Sequence, residues 1–522
     1  LFLILIKTEK MKNIVVIFSL FFSSVLCLNA DEIPRIQIEN TEYVGSFDVD
    51  RNQFIFRGIP YAKPPINELR WMPPIPYKTE KTSIAAQSFK PACMQDNGNT
   101  NWYRNVAISL GNPISMVHKT PSISEDCLYL NIWSQSLDTE QKQPVMVWIH
   151  GGGNVNGYSH EPNYLGYNLA QKGVVVVSIN FRLNALGYLP HPENPNSSGN
   201  YGLMDQLTAL KWIKDNIIQF GGDPNNITLF GESSGAEDIA YLIASPAAQG
   251  LFQRAISQSG GFIDWVKKDE GLALGIEIQE KSGSESLAAM RNISAESIVK
   301  IRSSSDLYYK VSVDGDLIPD DPFKLYLDQN INNVDLLIGS TRNEYMMYGN
   351  PNITDQETTD WVEKTYPEDS KAILELMTNK EPVIAMDQLQ TNRDYLCPSV
   401  FIARQLSKNG NNVYQYIFDK ERQNSESIKA YHGAEIPYVF NTHDDWLPTD
   451  PMDLELTEIM MEYWVEFAKK GTPNSINNPT WKEFGDDENY QILDIPIQQS
   501  NKSEFEFCTL LIEQMRKRAF SD

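Results

Sequence analysis

Gly231-Glu232-Ser233-Ser234-Gly235 places a serine where it could act as a nucleophile. The residues before it, Asn226-Ile227-Thr228-Leu229-Phe230, read as a short strand, and a helix is expected after it. On such a strand-to-helix turn the hydroxyl of Ser233 is pushed out at the top of a sheet. Gly231 and Gly235 fit because the turn crowds neighbouring backbone, where a Cβ would clash. A serine hydroxyl is a poor nucleophile at neutral pH and needs a base within hydrogen-bond reach. In this topology the acid and then the histidine follow the nucleophile along the chain. Of the six histidines, only His432 and His443 lie beyond Ser233. His432, in Tyr431-His432-Gly433-Ala434-Glu435, follows a strand, whereas His443 sits beside Asp444 and Asp445 and reads as a solvated loop residue. For the acid, Glu344 closes an apolar strand, where it could hold the imidazole tautomer and stabilise the imidazolium. Asp314 and Asp316 satisfy the same order but lie in a turn. Upstream, Trp148-Ile149-His150-Gly151-Gly152-Gly153 ends another strand. The N–H groups of Gly152, Gly153 and Ser234 are the candidate oxyanion-hole donors, each worth about 3–4 kcal/mol in the barrier.

These side chains need a sheet whose strand ends converge. Leu128–Trp133, Val145–Ile149 and Val334–Gly339 are apolar runs suited to strands. Val174–Ile179 has no polar alternation and reads as a strand buried on both faces. Val413–Phe418 is a further strand, leading into the His432 loop. Leu203–Ile218 and Leu454–Lys470 have helical periodicity, the second stopped by Gly471-Thr472-Pro473. Alternating strands and helices predict an α/β fold with a central, mostly parallel sheet flanked by helices. Asp31–Phe56 reads as hairpin material, Arg57–Pro74 as an ordered extended loop, and Cys93–Cys127 as a polar excursion.

Further stretches complete a pattern: Gly58-Ile59-Pro60-Tyr61-Ala62, Glu125-Asp126-Cys127-Leu128-Tyr129-Leu130-Asn131, Asn180-Phe181-Arg182 and Phe220-Gly221-Gly222-Asp223-Pro224. From about Tyr43 to Lys517 the chain resembles the type-B carboxylesterase/lipase family, the cholinesterase-like branch of the α/β-hydrolases. The resemblance implies an α/β-hydrolase fold, Ser233 as nucleophile, Glu344 as acid and His432 as base, with no metal or cofactor. It implies buried pairs Arg70–Glu125 and Arg182–Asp205, and a serine, Ser259, bordering the triad. Three positions depart from the family pattern: Ser234 stands for the common alanine, Asn154 for an aromatic or small residue, and Tyr345 for glycine. The segment Ile114–His118 lacks the tryptophan that stacks on choline in cholinesterases, which argues against a choline ester. Glu232 either tunes the site or completes a hydrogen-bond network.

The net charge of −24 argues against nucleic acid and against an anionic membrane surface as partners. Residues 1–30 read as an N-terminal extension followed by a signal peptide from Met11, cleaved after Ala30. A single catalytic domain then spans 31–522, secreted or periplasmic. The four remaining cysteines, Cys93, Cys127, Cys397 and Cys508, suggest two disulfides and allow three pairings. Cys93–Cys127 with Cys397–Cys508 is favoured, and the resemblance implies the same. The reading is thus a serine carboxylesterase acting on small-molecule esters, of unknown oligomeric state. A long-chain lipase with the Cys93–Cys127 excursion as a lid, and a non-catalytic adhesion protein on the same fold, are the alternatives. Activity should fall as pH drops through the histidine pKa, near the ordinary value of about 6.5.

Overall fold

The computed structural model describes residues 33–78, 82–194, 198–261, 265–301 and 309–520. The expected signal peptide lies outside them.

Among the described residues the main sheet has eleven strands. In chain order they are β1 (Ser46–Asp48), β2 (Gln53–Pro60), β3 (Tyr129–Ser134), β4 (Gln143–Ile149), β5 (Val175–Ile179), β6 (Gly222–Glu232), β7 (Arg254–Gln258), β8 (Asp335–Thr341), β9 (Val413–Phe418), β10 (Tyr490–Leu493) and β11 (Gln498–Ser500). Their spatial order is β1-β2-β3-β5-β4-β6-β7-β8-β9-β10-β11. From β5 across to β10 every pair is parallel, and the pairs at the two edges are antiparallel. The centre of the sheet is therefore the parallel one that the sequence pattern predicts.

β5 is buried along its whole length. Val175, Val177 and Ile179 join one core while Val176 joins the other, so its unbroken apolar run serves both faces. β4 divides in the same way, Val145, Val147 and Ile149 against Met146 and Trp148. On the first face lie α2 (Tyr201–Asn216) and α3 (Ser234–Ala244), through Leu203, Leu210, Ile213, Ile239 and Ile243. The second face is covered by α6 (Pro451–Lys470), whose Leu456, Met460, Trp464 and Phe467 follow the 3–4-residue spacing of one helix face. Asp450 and Asp453 cap α6 reciprocally, at 2.8 and 2.9 Å, and Gly471 ends it with φ 76°.

Two expectations are corrected. Arg57–Pro60 is not loop but the end of β2, which continues past a register shift at Arg57–Ile59. The Cys93–Cys127 excursion is not merely polar loop: it contains α1 (Gly98–Ser109), which buries Tyr103, Val106 and Ala107. Its asparagines and glycine are weak helix formers, so tertiary packing rather than propensity makes this helix. Both favoured disulfides are present, Cys93–Cys127 closing 34 residues and Cys397–Cys508 closing 111.

Candidate functional site

β6 ends at Glu232, and Ser233 follows with φ 56° and ψ −130° before α3 begins. A non-glycine residue in such a conformation costs on the order of 1–3 kcal/mol and persists only where its surroundings impose it. Here they do. The Ser233 N–H donates to the Gln258 carbonyl at 2.9 Å, and its own carbonyl accepts from Ala236 and Glu237. The flanking glycines are required: a Cβ on Gly235 would stand 2.1 Å from the Ile149 carbonyl oxygen, and one on Gly231 2.7 Å from the same atom. The elbow is thus wedged against the end of β4.

Past that end, the glycine loop turns beside the serine. Gly152 and Gly153 have φ 109° and 64°, and a Cβ on Gly152 would meet the Asn156 carbonyl oxygen at 2.3 Å. Ser233 opens onto a cavity of about 200 Å³, lined in part by Gly153, Asn154, Val155, Glu237, Tyr309 and Tyr395.

Glu344 follows β8 and is buried. One carboxylate oxygen accepts from the Thr341 N–H at 2.8 Å, while the other lies 2.5 Å from His432 Nδ1. Its own N–H donates to Thr391 Oγ1 at 3.1 Å, at the end of α4 (Pro382–Thr391). A π-helical turn, Asn392–Leu396, joins α4 to α5 (Cys397–Lys408) and carries Tyr395, whose ring packs 5.0 Å from the imidazole. Tyr345, at the position where the family has glycine, donates its hydroxyl to Asp394 on the same turn at 2.6 Å.

The other imidazole nitrogen, Nε2, lies 3.2 Å from Glu232 Oε1. The residue preceding the serine thus reaches the histidine directly. Burial opposes a charged imidazole, but Glu232 and Glu344 outweigh it and push His432 up to about 10. Burial pushes Glu232 up to about 8, His432 opposing and the neighbouring Glu435 and Glu344 reinforcing. Glu435, itself fully buried, is pushed up to about 7 by burial and by Glu344. The carboxylates around His432 thus move it upward from the ordinary value near 6.5.

The rival residues are elsewhere. Asp314 holds a turn, accepting from the N–H groups of Asp316 and Ile318. His443 is half-buried rather than solvated, bonded to Arg422 and Thr457, and burial lowers it to about 4. Ser259 is buried with φ 51° just beyond β7 and donates its N–H to Gly339, the strand leading to Glu344. Both expected ion pairs form, Arg70 with Glu125 and Arg182 with Asp205.

Two aromatic residues escaped the sequence reading, Tyr395 and Trp102. Trp102, on α1, donates Nε1–H to the Tyr348 hydroxyl at 2.8 Å, and its ring lies 6.2 Å from that of Tyr431. A Cβ on Gly433, next to the histidine, would lie 3.6 Å from the Trp102 indole. Helix α1 thus places an indole beside the loop that carries His432. Only recognition of α1 as a helix could have flagged it. Among the described residues there is no His, Cys, Asp and Glu group arranged to hold a metal ion.

A parallel-centred sheet, a strained serine at the β6–α3 turn, and an acid and a histidine from the ends of later strands define an α/β-hydrolase. The model of the "Carboxylesterase family" matches residues 42–509, and the chain belongs to that family. It is 33% identical over 476 residues to a para-nitrobenzyl esterase of Bacillus subtilis, covering 86% of this chain and 93% of that protein. It is 32% identical over 519 residues to a medium-chain fatty acyl-CoA hydrolase precursor of Anas platyrhynchos, covering 91% of each. The solved structure of a thermophilic PNB esterase superposes with a TM-score of 0.80 at 28% identity, covering 92% of this chain and all of that one. The protein is thus a carboxylic ester hydrolase. No helix among its described residues is long and apolar enough to cross a membrane.

Proposed function

We propose that this enzyme is an exported serine carboxylesterase that works through an acyl-enzyme. Ser233 Oγ attacks the ester carbonyl carbon while His432 Nε2 accepts its proton. The oxyanion formed is stabilised by the N–H groups of Gly152, Gly153 and Ser234. His432 then returns the proton to the leaving alcohol. Water, deprotonated by the same nitrogen, attacks the acyl-enzyme and releases the acid. Glu344 holds Nδ1–H throughout. The observation that carries this reading is the imidazole held 2.5 Å from Glu344, with its other nitrogen 3.2 Å from Glu232, the residue that precedes Ser233.

The two disulfides support export, since such bonds persist in oxidising compartments. Against a lipase lid, the excursion is pinned in place, Trp102 to Tyr348 and Asn112 to the Trp446 carbonyl, which a lid would have to break.

The test is a chain-length series of nitrophenyl esters, with choline esters alongside, and labelling by a fluorophosphonate. Turnover and labelling should both be present in the wild type, prefer short chains, and vanish in Ser233→Ala. Labelling that survives Ser233→Ala would refute the assignment, and a preference for long chains would revive the lipase.

A further inference from the structure

The three oxyanion donors come from two separate segments, the glycine loop after β4 and the first turn of α3. Their spacing depends on what ties those segments together. Two direct ties lie at two of the positions where this chain departs from its family. The Asn154 backbone N–H donates to Ser234 Oγ at 3.1 Å, and the Asn154 side chain donates through Nδ2 to Asp238 Oδ1 at 3.0 Å. Alanine at 234 would have no oxygen to accept the first bond.

We infer that Ser234, Asn154 and Asp238 form a latch that sets the positions of the oxyanion-hole N–H groups, making all three positioning residues for ester hydrolysis. This rests on the reading of Ser233 as the nucleophile.

Each part of the latch is held from behind. Asn154 has φ 56°, a left-handed conformation that asparagine tolerates better than most residues. Its carbonyl accepts from the Asn184 N–H at 2.7 Å, which anchors the far side of the loop. Asp238 is fully buried with no cation among its side-chain partners: Oδ2 accepts from Gln206 Nε2 and, at 3.3 Å, from the Tyr188 hydroxyl. Asn154, Gln206 and Tyr188 all come from elements outside α3, so the carboxylate is a fixed acceptor toward which they converge. Ser234 therefore does more than offer its N–H to the oxyanion: its hydroxyl ties the loop that carries the other two donors.

The discriminating readout is the tetrahedral state. An alkyl trifluoromethyl ketone adds Ser233 Oγ across its carbonyl and places a negative oxygen in the hole, whereas the matching methyl ketone, a poor hemiketal former, reports ground-state binding. In Ser234→Ala, kcat and kcat/KM should fall about 10–100-fold, the cost of a small misplacement of catalytic groups. Affinity for the methyl ketone should stay the same, and affinity for the trifluoromethyl ketone should fall by a similar factor. Asn154→Gly keeps the positive φ and the N–H but loses the tie to Asp238, and should move kcat and trifluoromethyl ketone affinity in the same direction. A purely structural role would lower the melting temperature and leave kcat and trifluoromethyl ketone affinity unchanged in both variants; that result overturns the inference. A wild type that neither turns over esters nor is labelled by fluorophosphonate would instead overturn the reading beneath it.

Discussion

Arg182 meets a single carboxylate, that of Asp205, through two side-chain hydrogen bonds of 2.8 and 2.7 Å, with a third from its own backbone N–H. His432 lies instead among three acids, Glu232, Glu344 and Glu435. Both clusters are buried. Burial raises the Asp205 carboxyl above its ordinary value, with one guanidinium set wholly against it. Burial also raises Glu232, but the charge set against it is an imidazole shared with two other carboxylates, and the acid is pushed up to about 8. A guanidinium keeps its proton at every pH a protein survives, so the first cluster can only hold or break. The second is built from groups that can gain and lose protons, as the proposed base requires. On the proposed mechanism the crowded acids lie at the reactive place, and the guanidinium–carboxylate pair belongs to the frame.

Breaking the reactive cluster at Glu344 should have the largest effect. In Glu344→Gln the amide no longer fixes the imidazole tautomer or stabilises the imidazolium, and kcat should drop by on the order of 10⁴. The fold should survive, since one of three crowded carboxylates is removed. Steady-state rates on a short nitrophenyl ester, with a thermal melt alongside, check this. A variant retaining a tenth of the wild-type kcat would show that Glu344 is not the orienting acid.

Breaking the balanced cluster should do the converse. Arg182→Met strands the Asp205 carboxylate and should cost about 3–5 kcal/mol of stability, measured by urea unfolding. The kcat per folded molecule should stay near that of wild type. Replacing both partners by apolar residues should recover most of the loss. An Arg182→Met enzyme as stable as the parent would mean the pair contributes little to the frame.

The contrast also explains what could be read in advance. The pairs Arg70–Glu125 and Arg182–Asp205 came from the family resemblance alone. The elbow and Glu344 were legible because each follows a strand that apolar periodicity reveals, and His432 because its loop follows another. The buried run Val174–Ile179 and the strand Val413–Phe418 were visible for the same reason. Helix α1 was not, since its residues favour loops and its helical state depends on packing Tyr103 and Val106 into a core assembled from distant segments. Trp102 was hidden with it. Strand β7, five residues long, was also passed over, because so short a segment carries too few alternations to separate it from helix. The Glu232–His432 contact joins residues far apart in the chain, so no local pattern reports it.

The smallest of these effects tests that contact. The proposed mechanism needs His432 neutral, so kcat/KM should fall as pH drops through its apparent pKa. With Glu232 and Glu344 outweighing burial, that limb should lie above the 6.5 of an isolated imidazole. In Glu232→Gln the amide still offers Nε2 a hydrogen-bond partner but removes one negative charge from the imidazolium. The charged form is then less favoured, and the limb should move to lower pH. The ratio of variant to wild-type kcat/KM should therefore rise as pH falls from 9 to 6.5, even if the variant is slower at its optimum. Full pH profiles on one ester measure this. A limb at the same pH in both enzymes would mean that Glu232 does not set the histidine's charge, and that only Glu344 distinguishes this cluster from the balanced one around Arg182.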